Sequence, residues 1–309
     1  MKESRGSRLV SAPTLCQART ALISAKENHR KKAYFGTRQI YSSVSAHHDW
    51  IDTKLKPIPT PKSSVTNITK PFWTAELYVN GQPSHCIVSP IALPHLQVPG
   101  ATQTSTDYVL TSAACLINYD EKTAQTRLID GHNLTIVLVK LDGKKQISNP
   151  VFIKIRKFFV HEKFDADELN DTSVHNPDIA VIRTEVMIDV MEPYTVVNQP
   201  LKGVNKCQVL AWEIPAGNSS GRHAVNIDIN SKIKTNGAYL YNSIRHNSKT
   251  SLESDPGTAF ICNTNGRTVL HGIVSHVSQR RIRQQFETKF VYSSIAKNYD
   301  WIVAKLKQN

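Results

Sequence analysis

From Phe72 onward the chain is written in short β-rich runs closed by turn residues, and this rhythm is what most limits its fold. Leu134-Thr-Ile-Val-Leu-Val-Lys140 leads into the turn Leu141-Asp-Gly-Lys144 and then into Val151-Phe-Ile-Lys-Ile-Arg156. Asp178-Ile-Ala-Val-Ile-Arg183 and Gln208-Val-Leu-Ala-Trp212 are apolar runs of buried-strand length. Short strands at regular spacing predict an all-β barrel or sandwich. The clear helical pattern is C-terminal, where Ile295, Tyr299, Ile302 and Leu306 recur at helical spacing as a stripe to be buried.

A chain of 309 residues holds one large or two small domains. No stretch is long and apolar enough to predict a membrane span. The five cysteines are an odd number, so at least one lacks an intrachain partner. Twelve histidines invite a metal reading, but no pair has convincing ligand spacing, and no metal or other cofactor is expected.

Three segments carry the chemistry. They are Tyr108-Val-Leu-Thr-Ser-Ala-Ala-Cys115, Asn176-Pro-Asp-Ile-Ala-Val-Ile182 and Ser254-Asp-Pro-Gly-Thr-Ala-Phe-Ile-Cys262. In order and spacing they resemble the trypsin/chymotrypsin family of serine proteases, whose blocks run roughly WVLTAAHC, NDIALL and GDSGGPLVC. Phe72-Trp-Thr-Ala-Glu-Leu77 is similar to the first strand of that family, and Val269-Leu-His-Gly-Ile-Val-Ser275 to the strand lining its cleft. Lys289-Phe-Val-Tyr292 and Tyr299-Asp-Trp-Ile302 resemble its closing strand and C-terminal helix.

The resemblance implies two packed six-stranded antiparallel β-barrels with a C-terminal α-helix over residues 72–309. It implies disulfides Cys86–Cys115 and Cys207–Cys262, and hence an oxidising compartment. It places Ala114 where the family has its histidine base, Pro256 where it has its nucleophilic serine, and Asp178 on the retained aspartate. Ala114 has no basic group. Pro256 has neither a hydroxyl nor a backbone N–H, so one residue removes the nucleophile and one of the two oxyanion donors. The other donor position, a glycine in the family, is Ser254. Ser254 and Thr258 carry hydroxyls beside Pro256, but a hydroxyl two residues from the turn apex points elsewhere. Of His161, His175, His271 and His276, the two in the cleft strand, His271 and His276, are read as structural.

The substrate pocket is altered as well. Its base aligns with Thr250, and two glycine positions of its wall align with Val277 and Phe290, unless strand alternation turns Phe290 outward. No Ile-Val-Gly-Gly-like start precedes Phe72, so Asp255, the match to the family's activation aspartate, has no obvious incoming amine.

Residues 35–56 and 286–307 align without gaps and are identical at half their positions, including a shared Tyr-Ser-Ser and Asp-Trp-Ile. An internal repeat redraws the domain map. Residues 1–56 read as the C-terminal remnant of an upstream protease-like domain, with Cys16 matching Cys262 and left unpaired. Such a segment arises from a tandem protein cut short, or from one tandem copy joined to the next. Residues 57–71, rich in Pro, Ser and Thr, read as the linker. Asn-x-Ser/Thr acceptors at Asn67, Asn133, Asn170 and Asn218 fit secretion, although Met1 to Arg19 lacks the apolar core of a signal peptide.

The net charge of +13 fits anionic partners and equally fits scattered, solvated lysines. Basic runs occur at Arg30-Lys-Lys32, Lys144-Lys145, Lys154-Ile-Arg-Lys157 and Arg280-Arg-Ile-Arg283, with no nucleic-acid motif beside them. The expectation is a secreted, non-catalytic protease homologue that binds a protein partner, an active protease or its substrate. The alternative is an extracellular protein that binds anionic glycans on a protease scaffold. An active endopeptidase is the distant third.

Overall fold

Alternation along the first strand sets the pattern for the rest. In β2 (Phe72–Val79) Ala75 and Leu77 are wholly buried while Glu76 and Tyr78 are not, so one face of the strand meets a core. The structure is a computed structural model. It describes residues 65–67, 72–92, 103–120, 125–142, 145–146, 148–166, 176–201, 207–215, 223–229, 233–247, 250–264, 267–282 and 285–308. The repeat of residues 35–56, Cys16, Asn170 and Asn218 lie outside them.

The first half is built from β2, β3 (Gln82–Ile87), β4 (Ser89–Ala92) and β5 (Thr106–Thr111), then the hairpin of β6 (Ile117–Asp120) and β7 (Gln125–Leu128), then β8 (Leu134–Asp142), β9 (Lys145–Gln146), β10 (Val151–Val160) and β11 (Ala180–Ile188). Antiparallel ladders run β3–β2–β8–β10–β11–β5–β4. The order returns to its start because β3 continues into β4 across Val88. The core includes Leu77, Val109, Leu116, Ile136, Leu138 and Ile182.

The second half holds β13 (Cys207–Pro215), β14 (His223–Ile229), β15 (Lys234–Asn236), β16 (Tyr239–Asn247), β17 (Thr250–Glu253), β18 (Ala259–Thr264), β19 (Arg267–Ile282) and β20 (Gln285–Ser294). Its ladders run β14–β13–β18–β19–β20–β16, and β17 returns to β13. Leu252, Phe260, Phe290 and Tyr292 are at its core. Two findings refine the expected map. β1 (Val65–Asn67), inside the stretch read as linker, pairs with β14. β12 (Tyr194–Val196) pairs in parallel with both β4 and β19, because the connection between the halves runs alongside both.

A third cluster binds the halves together: Ile91, Leu110, Ile179 and Val181 from the first meet Leu270 and Ile273 from the second. Helix α1 (Ile295–Leu306) closes over it. Ser294 caps the helix by accepting from Lys297 N, and Ile295, Ile302 and Leu306 are buried as the pattern predicts. Tyr299 is half-buried, whereas Asn298 is buried because its amide donates to Ser294 O at 2.7 Å. Among the described residues no helix is long and apolar enough to cross a membrane.

Candidate functional site

The site lies where the loop after β5, the start of β11 and the loop before β18 converge. Ala114 occupies a short 3-10 turn, Ala113–Leu116, and is buried. The Cys86–Cys115 disulfide ties that turn to β3. A second disulfide joins Cys207 to Cys262, which face one another across β13 and β18. Each closes a loop of tens of residues and contributes roughly 2–4 kcal/mol.

Asp178 is wholly buried, and its carboxylate is surrounded by donors. Ser112 Oγ lies 2.8 Å from both carboxylate oxygens, in a bifurcated bond. Ala114 N donates to Oδ1 at 2.9 Å, and Ser275 Oγ donates to Oδ2 at 2.6 Å. Ser293 Oγ donates to the Asp178 carbonyl at 2.7 Å. Ser112 and Ala114 belong to the first half and Ser275 and Ser293 to the second, so one aspartate stitches the halves together. A buried carboxylate is tolerable only with such a set of donors. It also helps raise the pKa of Tyr239, chiefly through burial of that phenol and secondly through the Asp178 charge.

The loop Ser254–Thr258 reaches the same place from the other side. Its turn needs Gly257, whose φ of +89° disfavours a side chain. A Cβ there would stand 1.9 Å from Ile87 O and 2.5 Å from Thr111 Oγ1. The close approach lets Ile87 N donate to Pro256 O at 2.8 Å and Ser89 Oγ to Gly257 O at 2.9 Å. Pro256 O also lies 4.0 Å from Cys115 Sγ, next in sequence to Ala114. Ala114, Asp178 and Pro256 thus share one neighbourhood, and their side chains there are a methyl, a caged carboxylate and a pyrrolidine ring.

The hydroxyls beside Pro256 are committed to backbone carbonyls. Ser254 Oγ donates to Leu210 O and Thr258 Oγ1 to Asp255 O, both at 2.7 Å. The His161 ring lies tilted against Trp301, with centroids 4.7 Å apart. His271 is buried within β19, and its Nε2 has no hydrogen-bond partner. His276 reaches the cluster through Ser275 Oγ at 3.3 Å, but burial first, then Lys289, lowers its pKa to about 4. His175 is outside the described residues. Among the described residues no group of three or more His, Cys, Asp or Glu side chains could hold a metal.

Of the three positions expected at the pocket, Phe290 lies in a core and Val277 packs against it. Phe290 is wholly buried, faces Val277 across β19 and β20, and lies 6.3 Å from Tyr292 within the core that includes Leu252. It therefore points inward. Thr250 opens β17 opposite Pro215. A cleft of about 660 Å³ is lined by His161, Lys163, Thr235 and Lys297 and includes none of these three positions. Of the Asn-x-Ser/Thr positions, Asn133 is exposed at the end of a 3-10 turn, and Asn67 lies in β1.

Two contacts escaped the sequence reading. Ser112 stands where the family block has an alanine, and that exchange two residues before Ala114 was the available signal. Asp255 accepts from Trp212 Nε1 at 2.8 Å, so an indole on β13 meets the carboxylate for which no amine was found. No curated protein matches the chain. The family model for trypsin matches residues 60–302, most of the chain. With that match, the paired disulfides and the two-part β architecture, the chain belongs to the trypsin family.

Proposed function

We propose that this protein is a secreted, non-catalytic member of its family that acts as a binding or regulatory module for other proteins, an active protease or its substrate among them. The observation that carries the reading is Pro256 at the turn before Gly257. Acyl transfer needs a hydroxyl there, an imidazole to take its proton and backbone N–H groups for the oxyanion. Pro256 offers neither hydroxyl nor N–H, and Ala114 offers no base. Losing one oxyanion donor alone costs about 10²–10³ in rate. Ser112 supports the same reading, since its hydroxyl engages the carboxylate that would orient an imidazole. The two disulfides support secretion. Two guanidiniums, Arg245 and Arg280, that share the single carboxylate of Glu287, with Lys234 and Lys289 over Tyr241, favour a second reading, a polyanion-binding protein on this scaffold.

The test is a fluorophosphonate probe together with peptide cleavage. The unmodified protein should neither label nor cleave, and cleavage that survives removal of contaminating proteases refutes the reading. Ala114→His with Pro256→Ser should still give a poor protease, because Phe290 and Val277, two of the expected pocket positions, pack together at a core and Ser112 holds Asp178. Efficient peptide cleavage by that double variant means the pocket is open.

Residues 1–56 are assigned, on the repeat, to a domain remnant independent of the rest. A chain beginning at Ser64 retains β1 and should keep its cooperative thermal transition. Loss of that transition removes the domain assignment.

A further inference from the structure

Strands β16, β20 and β19 lie side by side, and their register sorts the side chains into two faces. Ile244, Thr288, Phe290 and Tyr292 point into the core and are buried. The alternate residues near the β19–β20 hairpin lie on the opposite face, which is covered from the row of Val291 onward, since Val291 and Ser293 are wholly buried. Arg245, Glu287 and Arg280 stand in one cross-strand row on that opposite face, and Ser243, Lys289 and Ser278 in the next. Tyr241 continues the face on β16, with Lys234 across from it on β15. Lys289 sits over the Tyr241 ring at 4.9 Å and Lys234 at 6.0 Å.

The charge on this face is unbalanced. Glu287 pairs with Arg280 at 2.5 Å and lies 3.8 Å from Arg245, so a single carboxylate is shared by two guanidiniums. Lys289 and Lys234 add two further cations. Strands lie about 4.8 Å apart, and successive outward residues along a strand about 6.8 Å apart. The cations are therefore spaced at intervals of roughly 5–10 Å across a rigid ladder rather than gathered in a pocket. Such an array matches a chain of repeated anions better than a single small ion. Guanidinium forks suit sulfate and carboxylate oxygens.

We propose that the part of this face of β16, β20 and β19 near the β19–β20 hairpin binds a linear sulfated polysaccharide. Nucleic acid fits less well. Tyr241, the ring on this face, is occupied by Lys234 and Lys289 instead of being free to stack on bases. The disulfides also fit an oxidising compartment, where sulfated glycans are the accessible polyanion. The proposal rests on the polyanion-binding reading. The site is separate from the one around Asp178, so failure of the proposal leaves the non-catalytic reading standing. Polyanion binding that Lys154→Gln with Arg156→Gln weakens equally would keep the polyanion-binding reading while removing this face.

The experiment is calorimetric titration of the full chain with a heparin-derived oligosaccharide at rising salt, with the thermal transition of each variant checked. Affinity should fall as salt screens the array. Lys289→Gln and Arg245→Gln should each weaken binding roughly tenfold. Glu287→Gln should tighten it, a gain that misfolding does not produce. Lys154→Gln with Arg156→Gln, on exposed residues of β10 in the first half, should leave affinity within about twofold. Equal losses from that pair and from Lys289→Gln would mean diffuse charge and overturn the proposal. So would unchanged affinity in Lys289→Gln, weaker binding in Glu287→Gln with an unaltered transition, or tighter binding to duplex DNA or to phosphatidylserine vesicles.

Discussion

Replacing Ser112 by alanine isolates one contact at the buried Asp178 carboxylate. Ser112 and Asp178 are both wholly buried, and the hydroxyl lies 2.8 Å from each carboxylate oxygen. Ser112→Ala leaves Ala114 N and Ser275 Oγ as the other donors named at the carboxylate. A hydrogen bond to a charged group contributes about 1.5–3 kcal/mol. The space vacated by one oxygen atom is too small for a water molecule to restore it. For a domain of this size each kcal/mol moves the midpoint by about 2–4 °C, so Tm should fall by roughly 3–12 °C. The assay is urea unfolding of the wild type, Ser112→Ala, Asp178→Ala and the double variant. Asp178→Ala orphans several buried donors at once and should be the worse single change. Because the two side chains touch, the cycle should show a coupling of about 1 kcal/mol or more. A cost below about 0.5 kcal/mol for Ser112→Ala, or an additive cycle, refutes the idea that Ser112 holds this carboxylate.

Two further outcomes follow from the same geometry. Burial and Lys289 hold the His276 pKa at about 4, below its ordinary 6.5, so between these values the unfolded chain binds more protons than the folded one. Stability should be full above about pH 6.5 and fall as pH drops toward 4. His161 and His271 are shifted the same way, so His276→Gln should flatten the decline without abolishing it; an unaltered slope in urea midpoints between pH 7.5 and 5 contradicts this. Gly257→Ala, which drives a methyl against Ile87 O at a positive φ, should cost more than about 2 kcal/mol by the same unfolding assay, and a neutral effect means the turn relaxes freely.

Part of this could be read along the chain because it is written locally. Apolar runs of strand length, turn residues and the C-terminal helical stripe are properties of neighbours in sequence. They located β8, β10, β11, β13 and α1, while the family resemblance placed β2, β19 and β20, and the strand ends ran further than the apolar runs suggested. The extension of β19 to Ile282, past Ser275, is an example: its polar residues Ser278, Gln279 and Arg280 pair with β20, and the partner decides what their own composition does not. Asn298 is another, since an amide inside a helix is buried when the cap carbonyl accepts its proton.

The ordered blocks and the cysteines sufficed, by sequence alone, to indicate a two-part β scaffold, the positions of Ala114, Asp178 and Pro256, and the residues available for disulfides. Composition also supplied the positive charge, but not its arrangement on one face of three strands. Tertiary structure alone decided what the retained groups do. Ser112 meets Asp178 across 66 residues of chain, Ser275 across 97, and Trp212 meets Asp255 across 43. Gly257 is fitted beneath Ser89 across 168. No periodicity links positions so far apart. Their pairing is set by which ladders form and how the halves pack, and a hydrogen bond depends on distances of a few tenths of an ångström that only the packed chain determines.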